Sequence, residues 1–92
     1  MARLNDQQIE EKLGGLEGWE RSGEAISKRF ELHDFKGSVD FVNRLLPEAE
    51  GMNHHPDLEI SWNKVTVTIS THSEGGLTEN DFALAGRIDA VA

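Results

Sequence analysis

The chain has 92 residues, 37% of them hydrophobic, and it has no cysteine, which excludes disulfides and thiolate metal ligands. Seventeen acidic residues against nine basic ones give a net charge of −8, which argues against binding a nucleic-acid backbone or an anionic membrane surface. No apolar run is long enough to span a bilayer, and the first residues lack the apolar segment of a secretory signal. We therefore expect one cytoplasmic domain covering residues 1–92.

The first part of the chain predicts a short helix followed by a β-hairpin. Asn5 and Gln8 have the spacing of a capping box, so we expect a helix over residues 6–13 that ends at a glycine pair. A Ser-Gly-Glu turn at residues 22–24 then separates two runs with strand-like composition, the second of them over residues 26–32. This arrangement indicates two antiparallel strands joined by a tight turn.

The longest predicted helix begins after Asp34, a suitable N-cap, and ends at Gly51. Its apolar residues recur at spacings of four and three, which predicts one buried stripe. That stripe consists of Phe35, Val39, Val42, Leu46 and Ala49, widened by Phe41 and Leu45. Pro47 falls inside the helix, where proline removes a hydrogen bond and clashes with the preceding turn, so we expect a kink or an irregular last turn.

A second hairpin is predicted after this helix. Residues 57–62 and 65–70 alternate between apolar and polar side chains around Asn63-Lys64, so each strand should bury one face. The alternation places Trp62 in the core. It places His72 on the polar side, if the second strand continues that far.

The last helix begins after Thr78, and Asp81 stands three residues later as in a capping box, which explains Asp81 as a capping residue rather than a catalytic one. Leu84, Ile88 and Val91 form its buried stripe. The order of elements is therefore α-β-β-α-β-β-α. It predicts an α+β, two-layer domain in which a single four-stranded antiparallel sheet has helices packed on one face.

Three of the four histidines are candidates for chemistry. His54 and His55 stand directly before Pro56, which favours an extended or turn conformation for His55, so the pair lies in the break between helix and strand. With His72 they could transfer protons near neutral pH or hold a metal ion. Adjacent histidines converge on one ion less easily than pairs two or four residues apart, so the spacing disfavours a metal. A surface or packing role is the alternative for the pair, and it is the preferred role for His33.

The same residues belong to a longer pattern with fixed spacings, which runs Glu50, three residues, His54-His55-Pro56, five residues, Trp62, nine residues, His72, eight residues, Asp81. This pattern resembles that of the pterin-4a-carbinolamine dehydratase family. The resemblance spans nearly the whole chain, because it also includes Gly18-Trp19, residues 26–35, Asn63-Lys64-Val65, Ser70-Thr71-His72 and Gly76-Leu77-Thr78-Glu79.

The resemblance implies an activity and an assembly. It implies a hydro-lyase that dehydrates a 4a-hydroxytetrahydropterin to quinonoid dihydropterin and water, in the recycling of a tetrahydrobiopterin-type cofactor, with neither a metal nor an organic cofactor. It also implies a homodimer or a homotetramer. Some members of the family are dimerization cofactors of a transcription factor, so a non-catalytic protein-binding module is the alternative function.

The resemblance also implies site residues. His54 and His72 correspond to the catalytic acid/base pair, and His55 to a third catalytic-site residue that binds or orients the pterin. Glu50 could tune a histidine or contact the pterin, or it could be a surface acid at the helix end. Trp19 could flank the pterin or anchor the core. The full set of implied substrate-binding residues is Glu50, Asn53, Ser70, Thr71, Ser73 and Trp19.

Overall fold

The computed structural model describes residues 2–92 and confirms the predicted order of elements. Within these residues three α-helices and four strands alternate as α-β-β-α-β-β-α, with a 3₁₀ turn, His72–Glu74, before the last helix. The helices are α1 (Asp6–Gly14), α2 (Phe35–Met52) and α3 (Glu79–Val91), and the strands are β1 (Glu20–Ser22), β2 (Ala25–Glu31), β3 (Asp57–Ser61) and β4 (Lys64–Ile69). No helix in this part of the chain combines the length and the apolar character needed to cross a membrane.

The four strands form one antiparallel sheet in the order β1-β2-β4-β3, as predicted. The two central strands, β2 and β4, contribute alternate side chains to the core, and the helices cover that face. The first and last helices, α1 and α3, begin as their sequences predict. Asn5 and Gln8 form a reciprocal capping box, and the backbone N–H of Thr78 donates to Asp81 Oδ2 at 2.8 Å. The principal core residues are Ile9, Trp19, Ile26, Phe30, Phe41, Leu45, Val65, Val67, Ile69, Leu77, Phe82, Leu84 and Ile88.

The buried face of α2 differs from the predicted stripe. Phe35 and Leu46 are 56% and 55% exposed, and the buried residues of the helix are Ser38, Phe41, Leu45 and Ala49. Ser38 belongs to the buried face because its hydroxyl donates to the backbone carbonyl of Trp62 at 2.7 Å, which joins the helix to the β3–β4 turn. The predicted stripe was therefore wrong in most of its members, and the two residues that widened it mark the true core face.

The end of α2 also differs from the prediction. The helix runs unbroken through Pro47 and ends one residue beyond Gly51, where Asn53 adopts a left-handed conformation with φ 50°. The expected irregular turn at Pro47 is therefore absent. Pro47 has no N–H to donate to the carbonyl of Asn43. Both residues lie on the exposed side of the helix, where water can bind that carbonyl instead.

The exposed strand β3 corrects two further predictions. Trp62 is 65% exposed and lies in the two-residue turn with φ 52°, so its predicted core position was wrong. Leu58 and Ile60 pair with Val67 and Val65 and point to the core side of the sheet. They are nevertheless exposed, because β3 is an edge strand that the helices do not cover. β4 ends before His72, which lies in the 3₁₀ turn and not on a strand.

Candidate active site

A buried carboxylate holds the first histidine of the pair. Asp81 is in the first turn of α3 and is 0% exposed. Its Oδ2 accepts hydrogen bonds from the backbone N–H of Thr78 and from the hydroxyl of Thr71, both at 2.8 Å. Its Oδ1 accepts from His54 Nε2 at 2.5 Å. One side chain therefore caps a helix, fixes the end of the β4 segment and orients an imidazole.

The contact with Asp81 determines which nitrogen of His54 remains free. Because a carboxylate only accepts, Nε2 carries the ring proton of neutral His54. Nδ1 has no hydrogen-bond partner among residues 2–92, and no buried side-chain nitrogen or oxygen there lacks a partner, so solvent reaches Nδ1. His54 can therefore take up and release a proton at Nδ1 while its ring stays in place, which is what general acid–base catalysis requires.

The second histidine of the pair has its own carboxylate. His55 Nε2 donates to Glu50 Oε2 at 2.5 Å, and both side chains are more than half exposed. Glu50 lies in the last turn of α2, and Asn53 follows as the left-handed cap, so the chain reverses and brings His55 back beside the helix end. Glu50 is thus an exposed acid at the helix end that also contacts a histidine.

The third histidine lies on a neighbouring loop. His72 opens the 3₁₀ turn, and its only side-chain hydrogen bond within residues 2–92 joins Nε2 to Ser70 Oγ over 3.4 Å. The side chain lines a groove of about 290 Å³. His54 and His55 do not line this groove, but Thr71, the residue before His72, donates to the carboxylate that holds His54. The groove is lined by Glu24, Ala25, Ser70, Thr71, His72, Gly75 and Gly76.

Through Asp81 the structure joins His54 to Thr71, but it does not bring all of the implied site residues together. Trp19 lies elsewhere: it is 6% exposed, packs edge-on against Phe30, and donates from Nε1 to Asp89 Oδ2 at 3.0 Å. Asp89 is eight positions after Asp81 in α3, or about 12 Å along the helix axis. Trp19 thus has the position of a core anchor. Ser73, the remaining implied residue, is exposed in the 3₁₀ turn beside His72.

Sequence reasoning missed Asp81 as a member of the site. The predicted capping box accounts for the contact of Asp81 Oδ2 with Thr78. The longer spacing pattern that ends on Asp81 was the signal for its second contact, with His54. Among the residues that the structure describes, no three His, Asp or Glu side chains are arranged to hold a metal ion.

Comparison with known proteins identifies the family. The family model described as Pterin 4 alpha carbinolamine dehydratase matches residues 2–91. The chain belongs to this family. A Roseiflexus castenholzii protein that carries the name pterin-4-alpha-carbinolamine dehydratase is 50% identical in sequence to this chain. The match extends over 90 residues, which are 98% of this chain and 97% of that protein. A protein of the same name from Sulfurisphaera tokodaii is 46% identical over 97% of this chain and 96% of its own.

Two solved structures of family proteins have the same fold. The transcriptional coactivator/pterin dehydratase from Brucella melitensis superposes with a TM-score of 0.93 at 37% identity, over 98% of both chains. A pterin dehydratase-like protein described as a RuBisCO assembly factor of the alpha-carboxysome superposes with a TM-score of 0.69 at 26% identity. That match covers 82% of this chain and 89% of the other. The same fold thus occurs in proteins that are described as a dehydratase, a coactivator and an assembly factor.

The left-handed backbone of Asn53, at the end of α2, can be tested by substitution. A left-handed backbone is easy for glycine and costs other residues roughly 1–2 kcal/mol, with asparagine among the more tolerant. We expect Asn53→Gly to keep the free energy of unfolding within about 0.5 kcal/mol of the parent, and Asn53→Ala to lower it by about 1 kcal/mol. Urea denaturation measures both values. Equal stability of the two variants would contradict a backbone role for Asn53.

Proposed function

We propose that this chain dehydrates a 4a-hydroxytetrahydropterin to the quinonoid dihydropterin and water, as a hydro-lyase that recycles a tetrahydrobiopterin-type cofactor. The observation that carries the proposal is the hydrogen bond from His54 to a fully buried Asp81, which leaves Nδ1 of an oriented imidazole open to solvent. A surface histidine without chemistry needs no such support. Membership of the dehydratase family supports the choice of substrate.

The reaction needs one proton delivered and one removed. The hydroxyl on C4a leaves as water when it gains a proton and the C4a–O bond breaks with its electron pair. A ring N–H then loses its proton, and its electrons form the C=N bond of the quinonoid product, so no net proton is consumed. His54 and His72 are the proposed acid and base, and a positioned imidazole accelerates such a transfer by roughly 10²–10⁴-fold.

The neighbouring groups have proposed binding roles. His55, oriented by Glu50, contacts and orients the flat pterin ring, and the exposed position of this pair suits contact with an entering ligand. Asn53 and Ser73 supply polar groups from the two loops that carry the histidines. Ser70 and Thr71 line the groove beside His72. Asp81 acts through His54 and Thr71 as a positioning residue.

Alanine variants of the two proposed proton-transfer residues test the dehydratase directly. His54→Ala and His72→Ala should each lower kcat for a synthetic 4a-carbinolamine by at least about 10²-fold, because each removes one proton-transfer group. His33→Ala is the matched control, since His33 is exposed and lies outside the site. Circular dichroism should show the parent fold in all three, with a lower melting temperature for His54→Ala because Asp81 loses one hydrogen-bond donor. Full activity in both site variants would refute the assignment, and chelators should leave the parent activity unchanged.

A second candidate function, protein binding, is favoured by an uncovered apolar surface on the side of α2 and β3. The turn that carries Trp62 is hydrogen-bonded to α2 through Ser38, which brings the two elements together at that point. Contiguous exposed apolar surface marks interaction sites in soluble proteins. The outer edge of β3 is also without a strand partner among residues 2–92. The exposed residues are Phe35, Val39, Leu46, Leu58, Ile60 and Trp62.

We propose that a second copy of this chain covers the surface, because a free strand edge beside an apolar face can pair with the same edge of another copy. The resulting assembly is the homodimer or homotetramer implied by the sequence resemblance. Binding to an unrelated protein, as the descriptions of the coactivator and the assembly factor suggest for those two proteins, is the competing outcome.

Two lysine substitutions on opposite faces of β3 test the assembly. Ile60→Lys places a charge on the apolar face and should convert the oligomer into a monomer, because burying that charge costs several kcal/mol. Glu59→Lys places the same side chain on the other face of the strand and should leave the oligomer intact. Light scattering after size exclusion measures the mass. A monomeric parent protein, or equal masses for the two variants, would contradict the proposal.

A further inference from the structure

The loop that carries His72 is held from outside by the N-terminal strap, residues 2–5. The backbone N–H of Leu4 donates to the carbonyl of Leu77 at 2.8 Å. Nη1 of Arg3 reaches the carbonyl of Gly75 at 3.4 Å. The strap thus contacts the residues that immediately follow the His72–Glu74 turn, although the two segments are about 70 positions apart in the sequence.

At Gly76, the side chains of Arg3 and Glu24 lie directly against the backbone of the loop. The residue is buried, and a Cβ placed on it would lie 2.4 Å from Arg3 Cδ and 2.6 Å from Glu24 Oε2. Both distances are far shorter than an ordinary van der Waals contact. Any side chain at position 76 would therefore displace Arg3, Glu24 or the loop itself. Both side chains pack on the loop backbone because glycine leaves the space open.

Glu24 is in turn connected to the rest of the N-terminal region. Arg21 lies between two carboxylates, with Nη1 2.8 Å from Asp6 Oδ1 and Nη2 3.9 Å from Glu24 Oε1. The β1–β2 turn and the start of α1 are therefore joined on the same side of the loop. Glu24 also lines the groove beside His72, so it lies next to both Gly76 and the candidate site.

The loop has few strong contacts of its own. It is closed by the isolated bridge between Thr71 and Gly76, in which the N–H of Gly76 reaches the carbonyl of Thr71 over 3.4 Å, and by two 3.1 Å turn hydrogen bonds. The His72 side chain adds a single 3.4 Å contact to Ser70. A catalytic side chain held so weakly depends on its backbone for position, and a shift of about 1 Å in such a group can cost 10²-fold in rate.

We propose that Arg3 and Glu24 are positioning residues for His72, which they hold by packing together, as a clamp, against the backbone of Gly75 and Gly76. The inference rests on the proposed role of His72 in the dehydration. Arg3 binds the Gly75 carbonyl and packs its aliphatic stem on Gly76, and the Glu24 carboxylate lies beside that stem over the same residue. The groove beside His72 keeps its shape only when both side chains are in place.

Arg3→Ala and Glu24→Ala test the clamp by two independent measurements. Amide hydrogen exchange at Glu74, Gly75 and Gly76 should become at least about fivefold faster, with no change in the strands, because the clamp is lost locally. The kcat for the 4a-carbinolamine should fall by about tenfold with little change in KM, because the pterin still binds while His72 is misplaced. Arg3→Lys keeps the aliphatic stem and a donor, and should recover part of kcat.

Arg87→Ala is the matched control, because Arg87 is exposed and its carboxylate partner, Glu48, is 3.9 Å away and outside the site. Unchanged exchange in the loop of both Arg3→Ala and Glu24→Ala would overturn the clamp whatever the activity. Faster exchange throughout the protein, together with an unchanged kcat, would also overturn the clamp. That result would show that Arg3 and Glu24 stabilise the whole fold and do not position His72. An inactive parent protein would refute the dehydratase, and the exchange data would still decide the clamp.

Discussion

A carboxylate without exposed surface can remain in a protein interior only when its oxygens are fully used as acceptors, because burying an unpaired charge costs several kcal/mol. Asp81 meets this condition with a helix N-terminus, a threonine hydroxyl and the His54 imidazole. The N-terminal end of α3 adds a favourable dipole. Asp81 is therefore the single point that fixes three parts of the chain, namely the start of α3, the end of the β4 segment and the loop after α2.

The three histidines differ in how firmly they are held, and this order follows from their partners. His54 is nearly buried and contacts the rigid carboxylate of Asp81. His55 contacts Glu50 in an exposed pair, where water and salt weaken the attraction. His72 depends on its loop. A rigid group next to two adaptable ones suits a site that must fix one proton-transfer atom and still admit a flat ligand.

Local sequence patterns predicted the elements and their caps, because a capping box or a strand alternation is set by residues close in the chain. They could not decide which of two adjacent apolar faces α2 buries, since Phe35 and Phe41 both continue a helical spacing. For Trp62, alternation assumed that the strand continues, whereas the residue lies in the turn after β3 with φ 52°. The packing of Arg3 on Gly76 joins distant parts of the chain, and no local pattern reports such a contact.

The most direct test of the account is the tautomer of His54, measured by ¹⁵N NMR of the imidazole in the parent protein and in Asp81→Asn. The parent should carry the proton on Nε2. In the variant, the amide oxygen must still accept from Thr78, so its NH₂ group faces His54 and the proton should move to Nδ1, with kcat at least about 10²-fold lower. A parent His54 protonated on Nδ1, or a variant with unchanged tautomer and kcat, would contradict the account.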